Sequence, residues 1–258
     1  MKKLLSLFKT STLKSLSEST RYPDFCEQAS RDDNYFKTFR RNRVYNEILE
    51  HVTFEQGQAY LNEIKKTPEL LVHLEEFKKN DLYGTPVLSY YHETGDISTT
   101  TLRYIKVLAD LKQYFGSLDN FKICEIGVGY GGQCRIIKSY FNLLSYTLVD
   151  IEQALKLSKK YLSHYEPDSV LAYKTMDELT KTNYDLVISN YAFTELPKPI
   201  QDIYLHKVIY TSSRGYITYN QNKKLDSYTK PQLKEILHAR ILDEVPLTAD
   251  GNCIIVWP

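Results

Sequence analysis

The segment KICEIGVGYGGQ, residues 122–133, decides how this chain is read. An apolar run with strand spacing leads directly into Gly127, Gly129, Gly131 and Gly132, and helical spacing follows. Glycines at such a strand-to-helix turn let the backbone bend tightly and approach a ligand where Cβ atoms would clash. The amides at the start of the helix then face an anionic or polar group. Gly127, Gly129 and Gly132 also satisfy GxGxxG, a pattern that by itself does not choose among nucleotide cofactors.

From Phe121 onward, strand-like runs alternate with helix-like ones. The expected strands are Lys122 to Gly127, Ser145 to Asp150, Ser169 to Tyr173, Tyr184 to Asn190 and Gly215 to Gln221, with helical patterns between each pair. Alternation of this kind implies right-handed crossovers and a parallel sheet covered on both faces. After a helix near Lys230 to Arg240, ILDEVPL and NCIIVWP are separated only by TADG, too short for anything but an antiparallel hairpin. Toward the N-terminus, the first eighty residues contain a single glycine, Gly57, and helical apolar spacing such as Tyr45, Ile48, Leu49 and Val52. Residues 1–80 therefore read as a helical extension and 81–258 as the main domain. Within the latter, 81–115 forms an expected lid segment, in which Gly84, Pro86 and Gly95 mark loops and Ser98 or Thr99 caps a helix from about Thr101 to Phe115.

Composition narrows the function classes. With 42% hydrophobic and 25% charged residues, a chain of 258 residues is globular and not disordered. A net charge of +1 argues against a nucleic-acid partner, whose binding rests on neutralising phosphates. No apolar run approaches the roughly 20 residues of a membrane span, so a soluble, cytoplasmic protein is expected. The start, MKKLLSLFKTSTLKSL, is basic, but its apolar stretch is too short for a signal peptide; it leaves open a weak amphipathic contact with a membrane or a partner. Cys26, Cys124, Cys134 and Cys253 lack CxxC spacing and read as buried free thiols of a reducing compartment. Tyr is in excess, 22 against 10 Phe. Codon bias explains most of them, including Tyr45, Tyr60 and Tyr161. Tyr90, Tyr91, Tyr104, Tyr130, Tyr191 and Tyr219 instead cluster in the lid segment, the glycine loop and the strand ends, where a ring with a hydroxyl can stack and hydrogen-bond.

Three features favour S-adenosylmethionine over a nicotinamide dinucleotide at the glycine loop. Glu125, two residues before the first glycine, suits a cationic amino group and would repel a pyrophosphate. The loop follows 120 residues of other chain, and the fold closes with a hairpin. The segment YDLVISNYAFTEL ends the fourth strand with Asn190 and Tyr191, where a transferable methyl group would lie. Asp150, ending the second strand, suits two ribose hydroxyls with either cofactor. Asp177, with Met176 beside it, suits an adenine, or else caps a helix.

The segments ISTTTLRYIKVLADL, ICEIGVGYGGQCRI, YTLVDIEQALKLSKKYL, SNYAFTEL and RGYITYNQ resemble, in this order and spacing, the sugar O-methyltransferase family of class I S-adenosylmethionine enzymes. The resemblance covers about Asn80 to Pro258. It implies a Rossmann-like α/β fold with a seven-stranded sheet of order 3-2-1-4-5-7-6, and methyl transfer to a hydroxyl of a sugar, nucleotide sugar or glycan. It also implies Glu125, Gly127, Gly129 and Gly131 for the methionine end, Asp150 for the ribose, and Asn190 and Tyr191 at the reacting centre. Tyr130, Gln133 and Ile151, in the same motifs, join the expected cofactor set. One departure is Ser98-Thr99-Thr100-Thr101 where the family has Ser-Pro-Thr-Thr, which bears only on the helix start.

A sugar hydroxyl needs a base to take its proton as the new bond forms. Glu195, four residues past Tyr191, and His92, in the loop Tyr90 to Glu93, are the candidates. Tyr91, Thr100, Arg103 and Tyr104 are candidates for holding the sugar. No spacing demands a metal, although a magnesium-assisted variant stays open. Transfer to another small molecule or a protein, a nicotinamide-dependent oxidoreductase, and a non-catalytic interaction protein of the same fold are the alternatives.

Overall fold

A computed structural model describes residues 21–165, 169–220 and 225–258. The basic start of the chain and the Gln221 end of the fifth expected strand lie outside these residues. Six short helices come first: α1 (Tyr22–Arg31), α2 (Asp33–Lys37), α3 (Arg43–Asn46), α4 (Phe54–Ile64), α5 (Pro68–Val72) and α6 (Leu74–Lys78). Thr53 and Gln56 start α4 with a reciprocal capping box. A two-stranded antiparallel hairpin follows, β1 (Leu88–Tyr91) and β2 (Gly95–Ser98), in a stretch read from sequence as loop. It leads into α7 (Thr99–Phe115), whose N-cap is Ser98, its hydroxyl accepting from Thr101 N at 3.1 Å.

The main sheet comprises β3 (Lys122–Ile126), β4 (Ser145–Val149), β5 (Leu171–Lys174), β6 (Leu186–Asn190), β7 (Gly215–Tyr219), β8 (Arg240–Asp243) and β9 (Cys253–Trp257). Its order is β5-β4-β3-β6-β7-β9-β8, which counts as 3-2-1-4-5-7-6 within the sheet. The first five strands run parallel, while β9 pairs antiparallel with both β7 and β8. This is the Rossmann-like sheet with its closing hairpin. The crossover helices are α8 (Gly132–Lys138), α9 (Glu152–Leu162), α10 (Lys198–Lys207) and α11 (Lys230–Ile236). One expected crossover helix is missing. Residues 175–185, between β5 and β6, form turns instead, with the Glu178 carboxylate accepting from Thr175 N at 2.7 Å.

Successive strand residues project to opposite faces, and the core divides accordingly. Ile123, Leu186, Tyr216 and Ile254 pack with α7, α8 and α9, whereas Cys124, Val187, Ile217 and Ile255 pack with α10 and α11. The N-terminal helices join the first of these layers: Tyr22, Phe25, Phe39, Tyr45 and Leu61 are buried in the same cluster as Leu102 and Tyr161. All four cysteines are buried and free. Arg40, fully buried, ties the layer together. Its guanidinium donates to Glu50 Oε1 at 2.6 Å, Asp81 Oδ1 at 2.9 Å, Asn80 O at 3.1 Å and Ser98 Oγ at 3.0 Å. No helix among the described residues is long and apolar enough to cross a membrane.

Candidate functional site

The carboxyl ends of β3, β4 and β6 open onto a cavity of about 410 Å³. Its floor is the glycine loop. Gly127 has φ +80°, and a Cβ there would stand 2.0 Å from Cβ of Ala192, so only glycine fits. Gly129 has φ +54° and is covered by Leu49, 2.7 Å from where its Cβ would lie. Asp150 sets the loop's position: its carboxylate accepts from Gly129 N at 3.0 Å and from Ile151 N at 2.8 Å.

Glu125 reaches the cavity from within β3. It is 2% exposed, and its carboxylate accepts from the Tyr146 hydroxyl at 2.6 Å. Burial pushes its carboxyl up to about 8; the Tyr146 hydrogen bond opposes this and the Asp150 charge adds to it. At the end of β6, Asn190 accepts from the Thr218 hydroxyl at 3.0 Å. Tyr191 follows with φ +66°, uncommon for a residue with a side chain, and its hydroxyl donates to Glu244. Glu195 accepts from Asn220 Nδ2 at 2.6 Å. Burial raises the Glu195 carboxyl above its ordinary range, partly offset by that amide.

Of the expected site residues, the cavity brings together Glu125, Gly127, Gly129, Asp150, Asn190, Tyr191, Glu195, Arg103 and Tyr104. Others stand elsewhere. His92 sits in the exposed β1–β2 turn, because the residues expected to form a loop over the sheet pair into a hairpin. Tyr91 is buried beneath that hairpin, stacked on Phe54 at 4.8 Å and donating to Phe54 O at 3.1 Å. Thr100 is buried in the first turn of α7. Tyr130 is fully buried behind the glycine loop, its hydroxyl accepting from Asn80 at 3.2 Å and its ring lying under the Arg40 guanidinium at 4.9 Å. Gln133 is buried in α8 and donates to Tyr104 O at 3.1 Å. Gly131 precedes α8 and backs onto Leu162, and Ile151 packs into the first core layer. Met176 packs against the second layer and Asp177 is exposed in the turn after β5, with no helix there to cap.

Two walls of the cavity were not legible in the sequence. The segment from Ile48 to Gln56, together with Tyr22 and Tyr60, closes one side, and Asn220, Thr248, Ala249 and Asn252 close another. His51, at the rim, is held below its usual range by partial burial and then by the Arg103 charge, so its imidazole is neutral at pH 7. The helical periodicity that identified residues 1–80 is blind to which face meets a ligand. Among the described residues no cluster of His, Cys, Asp and Glu has the arrangement of a metal site.

No protein-family model and no curated protein matches this chain. It is similar to magnesium protoporphyrin IX methyltransferase of Synechocystis PCC 6803, solved with bound SAM, at 16% identity and TM-score 0.48, over 60% of this chain and 76% of that one. It is also similar to phosphoethanolamine N-methyltransferase 2 of Haemonchus contortus, at 19% identity and TM-score 0.45, over 54% of this chain and 38% of that one.

Proposed function

We propose that this chain is an S-adenosylmethionine-dependent O-methyltransferase acting on a sugar hydroxyl. The observation that carries the reading is the convergence of Glu125, the Gly127–Gly129 turn, Asp150 and Asn190–Tyr191 on one cavity. The donor set fits that cofactor. Glu125 is a buried carboxyl whose partner is a neutral phenol, so a cationic amino group in the cavity would ionise it and supply the missing counter-charge. Asp150 stands at the end of β4, where a carboxylate can accept from ribose hydroxyls. Gly127 and Gly129, without side chains, let Ala192 and Leu49 close against the loop that floors the cavity. When bound, S-adenosylmethionine supplies a methyl carbon on a positively charged sulfur that departs as a neutral thioether.

The chain's own residues then have three tasks. Tyr60, Tyr104 and Tyr191 line the cavity with rings that bear hydroxyls, a surface that can stack on a sugar face while Gln56, Asn220 and Asn252 offer amides to its hydroxyls. Leu49, in the segment Ile48 to Gln56 that walls the cavity, covers Gly129 of the glycine loop. Glu195 would take the proton of the acceptor hydroxyl as that oxygen becomes the nucleophile. Its raised affinity for a proton makes it a stronger base than an exposed carboxylate, and Asn220 holds one oxygen in place.

Calorimetric titration tests the cofactor: S-adenosylmethionine binds the wild-type chain, and Asp150→Ala weakens it at least tenfold, the loss of one charge-assisted contact being worth about 1.5 kcal/mol or more. Absence of binding refutes the methyltransferase reading. With a sugar acceptor in hand, Glu195→Gln is expected to slow transfer roughly 10²- to 10⁴-fold while His92→Ala leaves it unchanged. A wild-type rate in Glu195→Gln removes that residue from the role.

A further inference from the structure

The buried cations described in this fold are matched with acids. Arg40 faces Glu50 and Asp81, Lys106 faces Asp110 at 2.6 Å, and Arg135 faces Glu76 at 2.5 Å. Arg103, one turn before Lys106 on α7, has no carboxylate partner among the described residues. Its Nη2 donates to Leu49 O at 3.2 Å, and its guanidinium lies over the Tyr104 ring at 5.5 Å. The acids nearby are engaged elsewhere: Glu50 with Arg40, and Glu244 with the Tyr191 and Thr248 hydroxyls. The Glu50 charge reaches Arg103 without a direct contact, so a half-buried guanidinium here lacks a paired carboxylate, a costly arrangement unless something brings a negative charge to it.

The cavity shows where that charge would lie. Arg103 lines both the main cavity and a small annex of about 20 Å³ that it shares with Tyr60, Tyr104, Asn190, Tyr191 and Glu244. Glu125, Gly127, Gly129 and Asp150 do not border this annex. The cation thus stands where the main cavity, on the Leu49 side of the glycine loop, meets the annex beyond the β6 end. We propose that Arg103 docks an anionic group, phosphate or carboxylate, on the methyl acceptor, which narrows the acceptor to acidic sugars: sugar phosphates, nucleotide sugars or uronic acids. The planar guanidinium fork suits bidentate contact with either anion. The identity of the anion's carrier rests on the methyl-transfer reading; the anion site itself does not.

The test is calorimetric titration of the protein, with and without saturating S-adenosylhomocysteine, using inorganic phosphate, glucose 1-phosphate, glucuronate and neutral methyl glucoside. Phosphate and at least one acidic sugar are expected to bind more tightly than methyl glucoside. Arg103→Met should weaken anion binding at least tenfold, Arg103→Lys by less, and both should leave S-adenosylhomocysteine affinity within about threefold. Matched circular dichroism and melting of Arg103→Lys show that the fold is kept. Equal anion binding in wild type and Arg103→Met overturns the proposal. So does a variant that loses S-adenosylhomocysteine but keeps phosphate, because Arg103 then serves the cofactor's carboxylate. If S-adenosylhomocysteine fails to bind while phosphate binds through Arg103, the methyl-transfer reading falls and the anion site stands.

Discussion

Glu125 offers a test that needs neither cofactor nor acceptor. It is buried on β3 at 2% exposure, and burial lifts its carboxyl from an ordinary value of 4.5 to about 8. A carboxyl raised in the folded state keeps a proton that the unfolded chain releases. Stability from this group is therefore fully present below pH 4.5, declines as pH rises toward 8, and is flat above it. Each pH unit in that window costs about 1.4 kcal/mol. Glu125→Gln removes the titration while leaving an oxygen to accept from the Tyr146 hydroxyl. Over the roughly 2.5 pH units from the ordinary value to neutrality, the variant gains on wild type, reaching roughly 3 kcal/mol at pH 7. Urea denaturation of both proteins at pH 5, 6, 7 and 8 measures the difference directly. A difference that does not change with pH, or a variant less stable than wild type at pH 7, refutes the argument that Glu125 is held protonated by burial. The result also bears on function, since the group that costs the fold stability at neutral pH is the one a cationic ligand would ionise.

Two further substitutions probe the scaffold. Gly127→Ala combines a φ of +80° with a Cβ 2.0 Å from that of Ala192; it is expected to cost about 2 kcal/mol or more in denaturant unfolding, and a loss under about 0.5 kcal/mol would show that the turn relaxes freely. Arg40→Met strands the carboxylates of Glu50 and Asp81 in the core beside Ser98; a loss of about 3–5 kcal/mol is expected, and retention of wild-type stability would mean that water reaches both acids.

The parallel half of the sheet was legible because its signal is local. Each strand is a short apolar run flanked by turn residues, and the spacing between TADG and its neighbours left the closing hairpin no alternative to antiparallel pairing. The glycine loop, Asp150 and Asn190–Tyr191 were legible for a related reason: a residue at the carboxyl end of a parallel strand faces the sheet edge whatever surrounds it. His92 failed that logic. Its place in an expected loop puts it over the site, but the Leu88–Tyr91 and Gly95–Ser98 strands pair with each other and turn it to solvent. Tyr130 failed for another reason: its position within the glycine loop fixed its backbone, while the room behind the loop took its ring into the core beside Arg40 and Asn80.

The sequence by itself determined the strand and helix order, the glycine turn and the acids at the strand ends, all set by short-range spacing and backbone sterics. Only the tertiary structure decided which residues close the site. Tyr60, which composition assigns to codon bias, lines the cavity because α4 packs on α7; His51 and Leu49 reach it because Arg40 holds Glu50 against Asp81 and Ser98. These contacts join residues tens of positions apart, and helical periodicity reports that a face is apolar without saying what it will face. The same distance hid Arg103. Its position on α7 was visible, but that it stands without an acid hydrogen-bonded to it, where the main cavity meets its annex, is a property of packing alone.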